Sequence, residues 1–331
     1  MTMMDKLITA FPQNLLDALE IASKCKFSKP AKEIRTIVIC GMGGSGIGGK
    51  IVSQWVQDDL KVPVHILNDY SLPAFVDQHS LVIGSSYSGN TEETLEGIHE
   101  AHRRGAHIIG ICSGGELKEF CNDNGFDCVV VPGGNPPRTQ LAFSMVQLLN
   151  ILVEIGVIHS SVLEEIRRSQ ELITNELPTI HSDAERLAEF LKGKVGIIYS
   201  GPKYEGVAIR ARQQFNENSK LLCWHHVIPE MNHNELVGWG GGDSRFAVVF
   251  MNTGDLIPRN RKRYEITKDL VSKKGAAVTE ITAVGDSRIQ RSIYLIHLVD
   301  WASFYLSELN QVDPMDISVI DFLKDELANF H

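Results

Sequence analysis

The chain has 331 residues and a formal net charge of -9, with 43% hydrophobic and 22% charged residues. Such a length allows two domains with ample core. The acidic balance argues against a nucleic-acid partner, since phosphate backbones are met by basic surfaces. No run approaches the ~18 apolar residues of a membrane span.

Six cysteines without a C-x-x-C pair suggest reduced thiols in a cytoplasmic protein. Met1–Lys6 lacks the basic and apolar regions of a secretory leader.

In chain order, Leu15–Cys25 carries a helical apolar pattern, broken over residues 26–30. Thr36–Cys40 is a β-branched run without alternation, as expected of a strand covered on both faces. A glycine loop and a helix to about Trp55 follow. Val62–Leu67 reads as the second strand and Leu81–Ser85 as the third, with a helix over Glu92–Arg104. His107–Cys112, a short helix from Glu116 and Cys128–Val131 continue the alternation. A helical run over Leu141–Ile155 closes the first half. Helices over Ser160–Glu176 and Asp183–Lys192 lead to a second series. This comprises strand Val195–Ser200, helix Tyr204–Asn218, strand Phe246–Phe250, basic helix Arg261–Lys274 and strand Ala277–Thr282. Helices from Ile289 and Asp316 finish the chain. The first of these, to Leu309, reads as core. Strand and helix in repeated alternation mean α/β units with parallel sheets wrapped by helices. We expect two of them, over residues 1–154 and 155–331.

Two loops carry the chemistry of the first half. Gly41-Met42-Gly43-Gly44-Ser45-Gly46 and Ser85-Ser86-Tyr87-Ser88-Gly89-Asn90-Thr91 each join a strand to a helix. Such junctions aim free backbone N–H groups and the positive end of a helix dipole at one point. Ser86, Ser88 and Thr91 add hydroxyls, and Gly89 permits close backbone approach. A phosphate fits there better than a plain N-cap, which needs one hydroxyl. Ligands of parallel sheets bind beyond the carboxyl ends of the strands, so both loops are expected at one pocket. Gly41, Gly43 and Gly46 also satisfy the dinucleotide spacing, with Asp69 placed as a ribose acid. The second hydroxyl loop speaks against that reading.

Four other features remain open on residue types alone. Arg138 follows two prolines that stiffen its approach, and a surface role weighs equally. Glu217, between Asn216 and Asn218 near a helix end, reads locally as a solvated residue that its neighbours can hold. His225, His226 and His233 with Glu235 fill a loop-like stretch. They lack the spacing of a zinc site, so an acid/base histidine is the stronger reading. Ser200-Gly201-Pro202 opens its helix much as the first-half loops do.

Taken in order, the GMGGSG and SSYSGNT loops, PPR, the NEN glutamate, the NHNE histidine and the terminal Leu323-Lys324 make up a specific set. It resembles the bifunctional phosphoglucose/phosphomannose isomerases of the sugar isomerase (SIS) superfamily, from about Gly41 to the last helix. The resemblance implies two SIS-type subdomains, doubly wound and flavodoxin-like. It implies glucose 6-phosphate and mannose 6-phosphate as substrates, isomerised to fructose 6-phosphate without metal or redox cofactor. Gly44, Ser45, Ser86, Ser88 and Thr91 would hold the sugar phosphate. Glu217 would move a proton between C1 and C2 through a cis-enediol, and Arg138 would stabilise the developing oxyanion. His233 would assist ring opening, reaching in from the second subunit of a homodimer. Lys324 would serve the ring-opening and hydroxyl-binding side.

One departure concerns the segment before the terminal lysine. The family often has Asp-Pro-Thr-Pro there, whereas this chain has Asp313-Pro314-Met315-Asp316, which bears on handling of the C2 epimer. A sensor of SIS type would carry a helix-turn-helix module ahead of the fold. Only about 35 residues precede the first strand, fewer than such a module needs.

Overall fold

The computed structural model describes residues 2–329. Two compact units divide the chain. Helix α1 (Met3–Thr9) belongs to the C-terminal unit, and α2 (Phe11–Lys24) opens the N-terminal one.

The N-terminal unit continues with β1 (Thr36–Cys40), α3 (Gly43–Val56), β2 (Val64–Leu67), β3 (Ser80–Ser85) and α4 (Glu92–Arg103). Next come β4 (His107–Cys112), α5 (Gly115–Asn124), β5 (Asp127–Val130), α6 (Leu141–Glu154) and α7 (Ser161–Asn175). Its five strands are all parallel, in the order β2-β1-β3-β4-β5. That is the flavodoxin-like order, with its switch point between β1 and β3. Alternate residues of β1 face opposite layers. A Cβ on Gly49 of α3 would press on Ile39, and one on Gly97 of α4 would press on Cys40. Helices therefore cover both faces, which is why the strand sequences lack a polar alternation.

The C-terminal unit holds α8 (Leu177–Leu191), β6 (Val195–Ser200), α9 (Glu205–Ser219), β7 (Cys223–Val227), α10 (Glu235–Gly238), β8 (Phe246–Asn252), α11 (Pro258–Lys273) and β9 (Ala277–Thr282). After these come α12 (Arg288–Leu309) and α13 (Ser318–Ala328). The sheet is again parallel, in the order β7-β6-β8-β9. This is the same winding one strand shorter, with its switch point between β6 and β8.

The units do not follow a single cut after residue 154. The N-terminal unit runs over Ala10–Asn175 and takes back Gly285–Ile293. Arg288 and Gln290 explain the return. The Arg288 guanidinium meets Asp58 Oδ2 at 2.6 Å and donates to the Gln54 carbonyl at 2.7 Å. Gln290 donates to Glu165 at 2.9 Å. Helix α1 was not expected and α2 begins at Phe11 rather than Leu15, and two further elements differ from the sequence expectation. Helix α8 starts at Leu177 rather than Asp183, because Pro178 sits in its first turn, where the absent N–H breaks no bond. The stretch expected as a histidine loop begins as strand β7, an edge strand whose Trp-His-His sequence disguises it. No helix among the described residues is long and apolar enough to cross a membrane.

Helix α9 is fixed to α12 by a buried ion pair. Arg210 and Asp300 are 1% and 4% exposed, and their two contacts measure 2.9 and 3.2 Å. Burial pushes the Asp300 carboxyl above its usual range, against the pull of Arg210. Removing one member leaves the other charge buried without its counter-charge. Asp300→Ala is expected to cost about 3–5 kcal/mol of stability, read from urea unfolding. A loss below about 1 kcal/mol would show that the pair is not what anchors α9.

Candidate active site

The glycine loop leaves β1 and the hydroxyl loop leaves β3, so both stand at the carboxyl ends of the two strands flanking the first switch point. Their backbones touch. Ser45 Oγ accepts from the Tyr87 N–H at 3.1 Å, and a Cβ on Gly41 would lie 2.8 Å from the Ser85 carbonyl oxygen. Asn68, at the end of β2, donates to the Gly41 carbonyl at 2.6 Å.

Within the second loop, Ser86 Oγ lies 2.8 Å from Thr91 Oγ1 and accepts from the Gly89 N–H at 3.1 Å. Thr91 is the N-cap residue of α4, yet its side chain makes no capping bond. The hydroxyl therefore belongs to the loop rather than to the helix end. Ser88 is exposed and accepts from the Asn90 N–H at 3.2 Å. The loops thus bring Gly44, Ser45, Ser86, Ser88 and Thr91 to one end of the sheet. These hydroxyls can rotate to donate to an anion beside the first-turn N–H groups of α3 and α4.

Arg138 joins them. It sits in a 3-10 turn over Pro137–Thr139 and is 4% exposed, so it is not a surface arginine. A Cβ on Gly44 would lie 3.4 Å from Pro137 C and 3.5 Å from Arg138 Cα, which puts the glycine loop directly against this turn. Beneath the loops lies a cavity of about 10 Å³ lined by Ser45, Ser85, Tyr87 and Gln140 among others. That is room for about one water and too little for a phosphate.

The other candidates lie in the C-terminal unit. Glu217 is in the last turn of α9 and is half-buried rather than solvated. The neighbouring amides fix the helix end. Asn216 donates to the Leu221 carbonyl at 2.7 Å, and Asn218 to Ser303 Oγ at 3.0 Å. His233 ends a 3-10 turn over Glu230–His233, past the far end of β7, and is exposed. Glu217 precedes β7 and His233 follows it. The five-residue strand between them is itself roughly 17 Å long. Lys324 lies on α13, which has no buried residue and exposes Val319, Phe322, Leu323 and Leu327.

Tyr199 and Trp239 escaped the sequence reading, and both join the network of Glu235 and His226, which it had grouped with His233. Glu235 accepts from the Tyr199 hydroxyl, and His226 Nδ1 lies 2.7 Å from its other oxygen. Trp239 Nε1 donates to the same Tyr199 hydroxyl at 2.9 Å. Burial, and then the hydrogen bond to Glu235, push the Tyr199 phenol well above its usual range. This network ties the segment after His233 back to β6 and β7. The histidines are not gathered around a metal. Among the described residues, no group of three or more His, Cys, Asp or Glu side chains is arranged to hold one. The second switch point also differs from the first. Asp255 stands there, accepting from Tyr204 at 2.8 Å and Thr253 at 2.6 Å. A carboxylate in that position repels an anion, so Ser200-Gly201-Pro202 does not repeat the phosphate loop.

Comparison with known proteins bears on all of this. Residues 32–133 match the SIS domain model, and residues 180–327 match the bacterial phospho-glucose isomerase C-terminal SIS domain. A bifunctional phosphoglucose/phosphomannose isomerase from Caldicellulosiruptor bescii is 40% identical, with 96% of each chain covered. This chain belongs to that family. The Aquifex aeolicus member is 36% identical over 91% of this chain and 92% of its own. A D-glucosamine-6-phosphate 4-epimerase from Sulfolobus acidocaldarius is 32% identical over 62% of this chain and 64% of its own. Among solved structures, the C-terminal domain of glucosamine-fructose-6-phosphate aminotransferase from Francisella tularensis superposes with a TM-score of 0.75. It is 19% identical, covering 94% of this chain and 97% of that one, so the likeness is one of fold. The dinucleotide reading gives way to the flavodoxin-like strand order and the second loop.

Gly89 tests the loop geometry. Its φ is +76°, and a Cβ there would overlap the Gly114 carbonyl oxygen. Gly105 has φ +71° but open space around it. Gly89→Ala is expected to cost about 3 kcal/mol and abolish fructose 6-phosphate binding by calorimetry. Gly105→Ala should cost only about 1–2 kcal/mol and leave binding intact.

Proposed function

We propose that this chain interconverts glucose 6-phosphate, and likewise mannose 6-phosphate, with fructose 6-phosphate through a cis-enediol intermediate. The observation that carries the reading is the pair of hydroxyl-bearing loops packed together at the β1/β3 switch point, with Arg138 buried against them, in a member of the isomerase family.

Aldose–ketose isomerisation needs a phosphate anchor, one base and a group that stabilises the charge developing on the C1 and C2 oxygens. Gly44, Ser45, Ser86, Ser88 and Thr91 are the anchor. Remote binding energy held there orients C1 and C2 for proton transfer. Glu217 is the base, taking the proton from C2 of the aldose and returning it to C1. Arg138 stabilises the enediolate, and His233 and Lys324 serve ring opening. None of these roles calls on a metal or a redox cofactor.

The working unit is a homodimer. Glu217 precedes β7 in the chain and His233 follows it, which supports a set of groups that draws His233 from a second copy. The exposed apolar residues of α13 supply surface suited to such a contact. The six cysteines are all free, which supports a reducing, cytosolic setting.

The deciding experiment is Glu217→Gln. Turnover of glucose 6-phosphate should fall by about 10²–10⁴-fold while fructose 6-phosphate binding is retained. Near-normal turnover would remove Glu217 from the mechanism, and a parent protein that binds but never turns over would be a sensor. A second test mixes two inactive variants. Glu217→Gln and His233→Ala, refolded together, should regain activity that neither has alone. No recovery would place both groups in sites built from one chain.

A further inference from the structure

Helix α9 ends on Lys220, which adopts φ +53° and ψ +34°, a left-handed conformation rare for a residue with a Cβ. Its ammonium donates to three backbone carbonyls: Glu217 at 2.5 Å, Asp313 at 2.8 Å and Asp316 at 2.9 Å. An ammonium has three protons, and each has an acceptor. The first carbonyl belongs to the residue assigned as base. The other two belong to the arm that joins α12 to α13, the segment where this chain departs from the Asp-Pro-Thr-Pro pattern.

Asn310, at the start of the same arm, adds a bond to the Ser219 carbonyl at 2.9 Å. Helix α13, which bears Lys324, has no buried residue of its own. The arm leads directly into this helix, so bonds that hold the arm bear on where the helix stands.

We propose that Lys220 is a positioning residue for the isomerisation: its ammonium locks residues 313–316, and with them Lys324 on α13, to the helix end that carries Glu217. The proposal rests on the roles given above to Glu217 and Lys324. Three charge-assisted bonds to carbonyls are stronger than neutral ones and hold two reacting groups in register. A misplacement of about 1 Å costs on the order of 10²-fold in rate.

The test exploits the backbone conformation. Lys220→Gly removes the ammonium but adopts the left-handed conformation without a Cβ clash, so the unfolding midpoint should not fall. Hydrogen exchange of the amides over residues 313–328 should quicken by about 10-fold or more. The kcat for glucose 6-phosphate should fall about 10–100-fold, with KM within about 3-fold because the phosphate anchor is untouched. Lys220→Asn, which also tolerates this conformation, repeats the measurement if the glycine variant folds poorly. Parent-like exchange over 313–328 overturns the clamp whatever the kinetics. Faster exchange with parent-like kcat overturns its role in positioning. Should Glu217→Gln also keep its turnover, the base assignment has failed, and the exchange result still judges the clamp.

Discussion

At the first switch point, backbone passes backbone more closely than any side chain allows. Gly41 lies against the Ser85 carbonyl, Gly46 against the Gly41 carbonyl, and Gly89 against the Gly114 carbonyl. These contacts join the loops after β1, β3 and β4 into one body. Ser113 at the end of β4 adds two bonds to the Tyr87 carbonyl, at 2.8 Å from its N–H and 2.7 Å from its hydroxyl. The hydroxyls offered to a ligand are thus carried on backbone that has little freedom to move. Such preorganisation lowers the ordering cost of binding a small anion.

The C-terminal unit reaches order by different means. Its candidate groups stand on helix ends and short turns, positioned by side chains. Arg210 and Asp300 set α9, the amides of Asn216 and Asn218 set its last turn, and Glu235 holds the segment beyond His233 through Tyr199 and His226. Buried polar networks of this kind rigidify when every member is satisfied.

Much of the scaffold was legible in the sequence, because strands covered on both faces leave unbroken apolar runs. Thr36–Cys40 and Val195–Ser200 match their strands end to end. The two loops were legible for a related reason: they concentrate small hydroxyl and glycine residues within a few positions. Arg138 was not decidable, since nothing local distinguishes a buried arginine from a surface one. Its burial comes from the packing of Gly44 against the Pro137–Thr139 turn. Strand β7 was hidden by His225 and His226, tolerated because it is an edge strand. The unit boundary was hidden as well. It depends on Arg288 and Gln290 reaching partners more than a hundred residues earlier in the chain. Residue types offered an acid/base histidine without choosing His233, and the role of Lys324 came from resemblance alone; both side chains are exposed.

The two sheets are wound alike, which invites the expectation of two equivalent binding sites per chain. Asp255 breaks that equivalence. Its carboxylate, held by Tyr204 and Thr253, occupies the place in the second sheet that the hydroxyl loop occupies in the first. A duplicated architecture thereby presents the hydroxyl loop only once. On the function proposed above, a titration with sugar phosphate should saturate at one equivalent per chain.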